Sequence, residues 1–173
     1  MRELGTRARI KRFLKALAAA AAGPTSVYLV GGATAVMVGW RESTRDVDFV
    51  IRPESDAMLR AILALKKRLA LNVEFAAPDQ FIPVPQGWEA RSPKVARFGK
   101  VTIRHYDLTA QALAKIERGH ARDLDDVKAM LDAGFVTPEG LRDAFDRAAP
   151  ELYRYPAVDP GTYRRALDEA LAP

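Results

Sequence analysis

Two aspartates, Asp46 and Asp48, stand two residues apart in a segment that is otherwise rich in Val, Phe and Ile. If this segment is a β-strand, its twofold periodicity sends both carboxylates to the same side. Two acids on one side of an apolar strand are costly unless a partner compensates their charge. A magnesium ion would do so, because it favours carboxylate oxygens and leaves other positions open for a triphosphate. The alternative is a strand end whose acids face solvent or pair with Arg41 and Arg45, and the pattern alone leaves both open.

A pair of glycines, Gly31 and Gly32, follows the apolar run 27–30, which predicts a strand buried on both faces. Glycines at such a turn let the backbone approach a ligand closely. A helix that follows them would direct its first amides at phosphate oxygens. A tight turn between strand and helix explains the same two residues more simply, so the glycines indicate a function only together with the two aspartates.

The composition bounds the possibilities. The 173 residues suffice for one domain with a buried core, and the absence of cysteine excludes disulfides and thiolate metal sites. The two histidines argue against a His-rich zinc site, and His105 is interpreted as a packed residue. The net charge of +5 is compatible with a polyanionic partner. Residues 7–22 predict an amphipathic helix rather than a secretory signal, and no segment reaches the length of a membrane span. We therefore expect a cytoplasmic protein with no membrane partner.

The elements that must position the acids follow from periodicity and turn residues, and they predict an α/β (α+β) fold. We expect a small mixed β-sheet flanked by helices, with a helical C-terminal part. Residues 1–107 would form the core with its N-terminal helix, and residues 108–173 would pack on it as part of one structural unit. The predicted elements are a helix in 7–22, strands in 27–30 and 46–51, a helix in 56–71, strands in 71–76 and 100–107, a loop or irregular hairpin in 78–99 between them, and helices thereafter.

The stretch 108–131 combines an apolar stripe with charged residues. If one helix runs through Gly119, then Lys115, Arg122 and Asp126 lie along one line, and the stripe consists of Leu113, Ile116, Leu124, Val127 and Leu131. If Gly119 breaks the helix, Asp123 occupies the first turn of a new helix, where the helix dipole favours an acid. The plainer interpretation is a helix with ordinary surface pairs of opposite charge.

The stretch 27–51, VYLVGGATAVMVGWRESTRDVDFVI, resembles the polymerase-beta-like nucleotidyltransferase superfamily. It looks most like the minimal nucleotidyltransferases of the abortive-infection AbiEii type, many of which are toxins of toxin–antitoxin pairs. The resemblance implies a nucleotidyltransferase fold. It also implies that Asp46 and Asp48 hold magnesium or manganese and that Gly31 and Gly32 contact the triphosphate of an NTP.

Four further positions receive a predicted role. Ser43 and Thr44 fall where the family often has a hydroxyl near the phosphates, although either could be a loop or cap residue. The superfamily usually places a third metal-binding carboxylate on the next strand, and Glu74 is the candidate, with Asp79 as the alternative. Arg45 is predicted to stabilise charge on the phosphates together with the glycine amides.

The downstream pattern Lys-x-x-Arg followed by Arg-Asp-x-x-Asp resembles motifs of the AbiEii-type enzymes. It implies that Lys115 meets the nucleotide phosphates and that Asp123 or Asp126 contributes to the active site. The expected reaction moves an NMP from an NTP to an acceptor hydroxyl and releases pyrophosphate. By analogy the acceptor is an RNA such as a tRNA end, and the partner is a cognate antitoxin. Two alternatives are a non-catalytic nucleotide-binding or regulatory protein that keeps the fold, and an enzyme of the same chemistry acting on a small molecule or a protein.

Overall fold

The computed structural model describes residues 3–172, which form two compact units. The first unit comprises residues 3–77 and 92–106, and the second comprises 78–91 and 107–172. The segment 78–91, predicted as part of the core, thus belongs by its contacts to the second unit. None of the helices in residues 3–172 is long and apolar enough to span a membrane.

The described part of the first unit contains ten elements. They are β1 (Gly5–Thr6), α1 (Arg7–Ala18), β2 (Thr25–Val30), α2 (Gly31–Val38), β3 (Ser43–Thr44), β4 (Asp46–Arg52), α3 (Asp56–Arg68), β5 (Asn72–Phe75), β6 (Lys94–Phe98) and β7 (Val101–His105). The predicted small mixed sheet is confirmed, and it has a fifth strand, β6, within the stretch predicted as a loop or irregular hairpin. The strand order is β5-β4-β2-β7-β6, in which β2 runs antiparallel to β4 and parallel to β7. β4 and β5 are parallel, and β6 and β7 form an antiparallel hairpin with a register irregularity near Lys94.

The core of the first unit explains which side of β4 carries the acids. Val47, Phe49 and Ile51 are fully buried and belong to the same apolar cluster as the inward faces of α1 and α3. Since side chains alternate along a strand, Asp46 and Asp48 lie on the opposite side of β4. Both are half-buried. The predicted placement of the two aspartates on one side of a strand is therefore confirmed.

The second unit is helical and begins with an irregular segment. It contains α4 (Trp88–Arg91), α5 (Leu108–Arg118), α6 (Ala121–Asp132), α7 (Pro138–Ala148) and α8 (Pro160–Ala170), with short 3-10 turns at Pro78–Gln80 and Ala149–Arg154. The Arg91 guanidinium holds the irregular segment by donating to Asp107 at 2.7 Å and to the carbonyls of Pro85 and Gln86 at 2.8 Å each. The predicted loop is thus pinned rather than free, and its last part, Lys94–Phe98, is a strand of the hairpin.

The helix break at Gly119 decides between the two predicted geometries. Gly119 ends α5 in the left-handed conformation, with φ +69°, and α6 begins two residues later. The single continuous helix is therefore wrong, and Asp123 occupies the first turn of α6. The break also changes the rotation of α6, so Leu124 is 39% exposed instead of lying in the core stripe. Met130 is buried in α6, whereas Leu131 is only half-buried.

Candidate active site

Strand register brings the glycine turn beside the aspartate pair. In the antiparallel pair of β2 and β4, Val30 lies opposite Asp48, and Gly31 follows directly as the first residue of α2. A Cβ atom added to Gly31 would lie 3.5 Å from the Asp48 Oδ2 atom. Gly31 has φ +55°, a conformation that side chains disfavour. The glycine turn and the aspartate pair, which are separate in sequence, are therefore neighbours in the structure.

Gly32 is required by close packing on Thr44. A Cβ atom at position 32 would overlap with the Thr44 hydroxyl and also lie 2.8 Å from Thr44 Cβ. Thr44 is buried, and its Oγ1 donates a hydrogen bond to the Asp46 carbonyl at 2.9 Å. The Thr44 side chain thus fixes the backbone of the first aspartate relative to the glycine turn. Ser43 is half-buried in the short pair of β1 and β3, and Arg45 is exposed just before Asp46.

The parallel pairing of β4 and β5 places the third candidate carboxylate. Asp48 lies opposite Glu74, and Asp46 lies opposite Asn72. The Asn72 amide donates to Glu74 Oε1 at 2.8 Å and also to the Asp46 carboxylate. Asp79, the alternative third acid, belongs to the second unit, where its backbone carbonyl accepts a hydrogen bond from the Tyr155 hydroxyl at 2.8 Å. The pairing therefore favours Glu74.

Asn72 is a residue that the sequence reasoning missed. It is buried and stands two residues before Glu74, so strand periodicity puts both on the same side of β5. This spacing repeats that of Asp46 and Asp48, and it was the one signal that could have identified Asn72. An asparagine between two carboxylates supplies N–H donors that partly compensate their charge.

The oxygen donors of this group suit a divalent cation, although they are not gathered into a ready-made cluster. Nowhere in residues 3–172 do three or more His, Cys, Asp or Glu side chains stand close enough together to hold a metal ion. The group offers carboxylate oxygens from Asp46, Asp48 and Glu74, which are the hard ligands that magnesium and manganese prefer. The three acids are thus of the ligand type that the predicted metal prefers, but as they stand they form no metal-binding cluster, and the amide of Asn72 lies between two of them.

A buried histidine contacts α2 through the side chain of Thr34. His105 lies at the end of β7, and its Nδ1 is 3.2 Å from the Thr34 hydroxyl in α2. Thr34 donates its own proton to the Leu29 carbonyl at 2.9 Å, so Nδ1 of His105 must be the donor in the first contact. Burial lowers the pKa of His105 to about 4. His105 is thus a neutral packed residue, as predicted, and it ties α2 to strands β2 and β7.

The second unit places Lys115, Asp123 and Asp126 in one buried ion cluster. The Lys115 ammonium is 3.0 Å from Asp123 and 2.6 Å from Asp126, and all three side chains are buried. Arg118 adds two bonds to Asp123, at 2.7 and 2.8 Å. Burial alone would raise the pKa of Asp123, but the bonds and charges of Arg118 and Lys115 outweigh it and lower that pKa. Lys115, Asp123 and Asp126 therefore form a buried ion cluster and not the exposed pairs of the plainer interpretation.

The mixed sheet, the glycine turn at the end of one strand and the acid pair on its neighbour define the class of this protein as a nucleotidyltransferase fold. Residues 8–147, most of the chain, match the family described as "Nucleotidyltransferase of unknown function (DUF6036)", and the chain belongs to this family. No curated protein and no solved structure matches the chain significantly.

Proposed function

We propose that this protein transfers a nucleoside monophosphate from an NTP to an acceptor hydroxyl and releases pyrophosphate. The observation that carries the proposal is the place where Gly31 meets Asp48. There a turn that can receive phosphates adjoins carboxylates that can hold a divalent cation. Family membership supports nucleotidyl transfer in general, and the geometry supports the particular residues.

The acids Asp46 and Asp48, with Glu74 beside them, would hold magnesium or manganese. When bound, such an ion neutralises the triphosphate and helps to activate the acceptor hydroxyl. Asn72 orients Asp46 and Glu74 through its amide, and Thr44 fixes the backbone of Asp46. These bonds restrict two of the three acids, which would still have to move closer together to hold one ion.

The glycine turn and its neighbours would receive the phosphates. Val30 precedes α2 as its N-cap residue and makes no capping hydrogen bond through its side chain. Amides and the positive end of a helix dipole favour phosphate oxygens. The half-buried Ser43, from the resemblance, and the exposed Arg45, by its charge, complete the proposed phosphate side.

Lys115 and Asp123 enter the proposal through the family resemblance. Within the buried cluster, Asp123 and Asp126 hold the Lys115 ammonium in one position. We propose that this cluster presents the lysine to the nucleotide phosphates. The competing explanation is that the cluster only stabilises the fold, and the kinetics of Lys115→Met distinguish the two explanations.

For the acceptor we propose the end of an RNA such as a tRNA, with the protein acting as a toxin that a cognate antitoxin silences. The support is the resemblance of the two motif groups to AbiEii-type toxins. Growth of cells that express the protein tests this part. Arrest by the wild type and normal growth with Asp46→Asn/Asp48→Asn would agree with the proposal, whereas equal growth would contradict the toxin role.

The decisive experiment uses purified protein, magnesium, each labelled NTP in turn and total cellular RNA. The wild type should label RNA, and Asp46→Asn/Asp48→Asn should not. A matched control, Asp143→Asn/Asp168→Asn, removes two exposed acids of the second unit and should label RNA normally. If the protein binds NTP in the presence of magnesium but labels no RNA, protein or small molecule, it is a nucleotide-binding protein, and the proposed catalytic activity is wrong.

A further inference from the structure

The two units differ sharply in charge. Residues 3–77 and 92–106 contain 16 Lys and Arg against 7 Asp and Glu, a formal net charge of +9. Residues 78–91 and 107–172 contain 10 Lys and Arg against 15 Asp and Glu, a net charge of −5. A domain with such a basic excess attracts polyanions, and the effect is strongest where the charges share a surface.

Much of the excess lies on two helices that pack against each other. α1 contains five basic residues and no acid, and α3 contains four basic residues and one acid, Asp56 in its first turn. Most apolar residues of both helices point into the core of the first unit, whereas Leu63 of α3 is 65% exposed. The charged residues on the outward sides of the helices are basic apart from Asp56, and we call the surface formed by Lys11, Arg12, Lys67 and Arg68 the basic face.

In the part of the chain that the structure describes, the cations of the basic face are not engaged in ion pairs, although Glu3, which pairs with Arg9, lines the cavity beside Arg12 and Arg68. Within residues 3–172, none of the four forms an ion pair with a carboxylate, and all four are exposed. Arg12 and Arg68 line one cavity of about 200 Å³, at the end of α3. Arg9 lies in the same cavity, but it is already engaged by Glu3 and by the Leu69 carbonyl. Two uncommitted guanidinium groups thus flank a recess large enough for a phosphate.

Helix α3, which carries two residues of the basic face, contacts the edge of the sheet that carries the proposed site. Lys66, the neighbour of Lys67, donates to the Val73 carbonyl in β5 at 3.2 Å. Val73 directly precedes Glu74, and β5 is the edge strand of the sheet. A polyanion that lies along α3 therefore needs to pass only this short edge strand to approach the carboxylates.

We infer that the basic face is the docking surface for the phosphodiester backbone of single-stranded RNA. The inference rests on the proposed function for the kind of polyanion, because that function requires a ligand that ends in an acceptor hydroxyl. Backbone docking by Lys and Arg is insensitive to base sequence and depends strongly on salt. The basic face would hold the strand, while the residues around Gly31 and Asp48 select the nucleotide.

The test measures the binding of a fluorescent 20-nucleotide RNA over a range of salt concentrations. Arg12→Gln/Arg68→Gln removes two charges from the basic face, one of them in the last turn of α3. The matched control, Arg142→Gln/Arg147→Gln, removes two exposed arginines from α7, one of them in its last turn. The first variant should weaken binding at least about tenfold and reduce the slope of log Kd against log salt by about 1.4, since each phosphate contact contributes about 0.7 for single strands. The control should stay within about threefold of the wild type.

Two results of the binding measurement would overturn the inference. Equal losses in the two variants would mean a general charge effect, and competition by polyglutamate as strong as by RNA would indicate an acidic protein as the partner. Magnesium-dependent NTP binding, measured on the same variants, should not change. A wild type that binds RNA on this face but labels none would overturn the proposed function alone, whereas labelled RNA with no effect of Arg12→Gln/Arg68→Gln would overturn this inference alone.

Discussion

Asn72 stands opposite Asp46 across the parallel strands β5 and β4, and its amide donates both to the Asp46 carboxylate and to Glu74. One buried side chain thus orients two of the three acids that the proposed function assigns to the metal. An amide that donates to both carboxylates holds their oxygens at a fixed spacing.

Asn72→Ala should weaken manganese binding about 10- to 100-fold, because it removes the group that orients two ligands. Manganese is the suitable probe since its binding can be followed directly by electron paramagnetic resonance. Gln80→Ala, an exposed amide of the second unit, is the control and should bind as the wild type does. Unchanged affinity in Asn72→Ala would mean that Asn72 serves the fold and not the metal site.

Gly32→Ala should destabilise the protein by about 1–3 kcal/mol, because the added methyl group meets the buried Thr44 side chain. Gly23→Ala is the matched control: a Cβ atom there has nothing within 4 Å, and the melting temperature should not fall. Thr44→Ala removes the overlapping hydroxyl, so Gly32→Ala/Thr44→Ala should lose less than the sum of the single changes. Additive losses, measured by urea unfolding, would contradict the packing explanation.

The sequence could predict the strands and the acid pair because their signals are local. The alternation in 46–51 marks one apolar and one acidic side, and Gly31-Gly32 marks the turn that precedes α2. The position of Gly31 beside Asp48 depends on the register of β2 and β4, which the two separate segments do not encode locally. Asn72 was missed for the same reason, since its partner Asp46 lies on another strand.

The helical part shows a different limit. The charged pattern of 115–126 was compatible with one helix or two. A glycine can lie inside a helix at some cost in stability, and it can also end a helix. The left-handed conformation of Gly119 decides the matter, and only then do Asp123 and Asp126 both face Lys115. Their roles in catalysis stay predictions.

Lys115→Met should lower the free energy of unfolding by about 3–5 kcal/mol, because it takes the Lys115 ammonium away from the buried carboxylates of Asp123 and Asp126, although Arg118 still bonds to Asp123. Lys128→Met removes an exposed lysine paired with Asp132 and should leave the urea midpoint unchanged. The kinetic measurement then separates the two roles of Lys115. At a temperature where Lys115→Met is folded, a higher KM for NTP would support a phosphate contact, whereas an unchanged KM and kcat would leave Lys115 a structural residue.

His105 should make the protein lose stability as the pH falls from about 6.5 to about 4. Its pKa in the folded state is about 4, below the ordinary value of 6.5, so the folded protein binds this proton less readily than the unfolded chain does. The stabilisation is complete above pH 6.5 and is lost towards pH 4, by at most about 3 kcal/mol. Urea unfolding across this range should therefore show a slope that His105→Phe reduces. His120→Gln changes an exposed histidine and should keep the wild-type slope. If His105→Phe and the wild type lose stability in parallel, the acid sensitivity has another source, and His105 does not stay neutral in the folded protein.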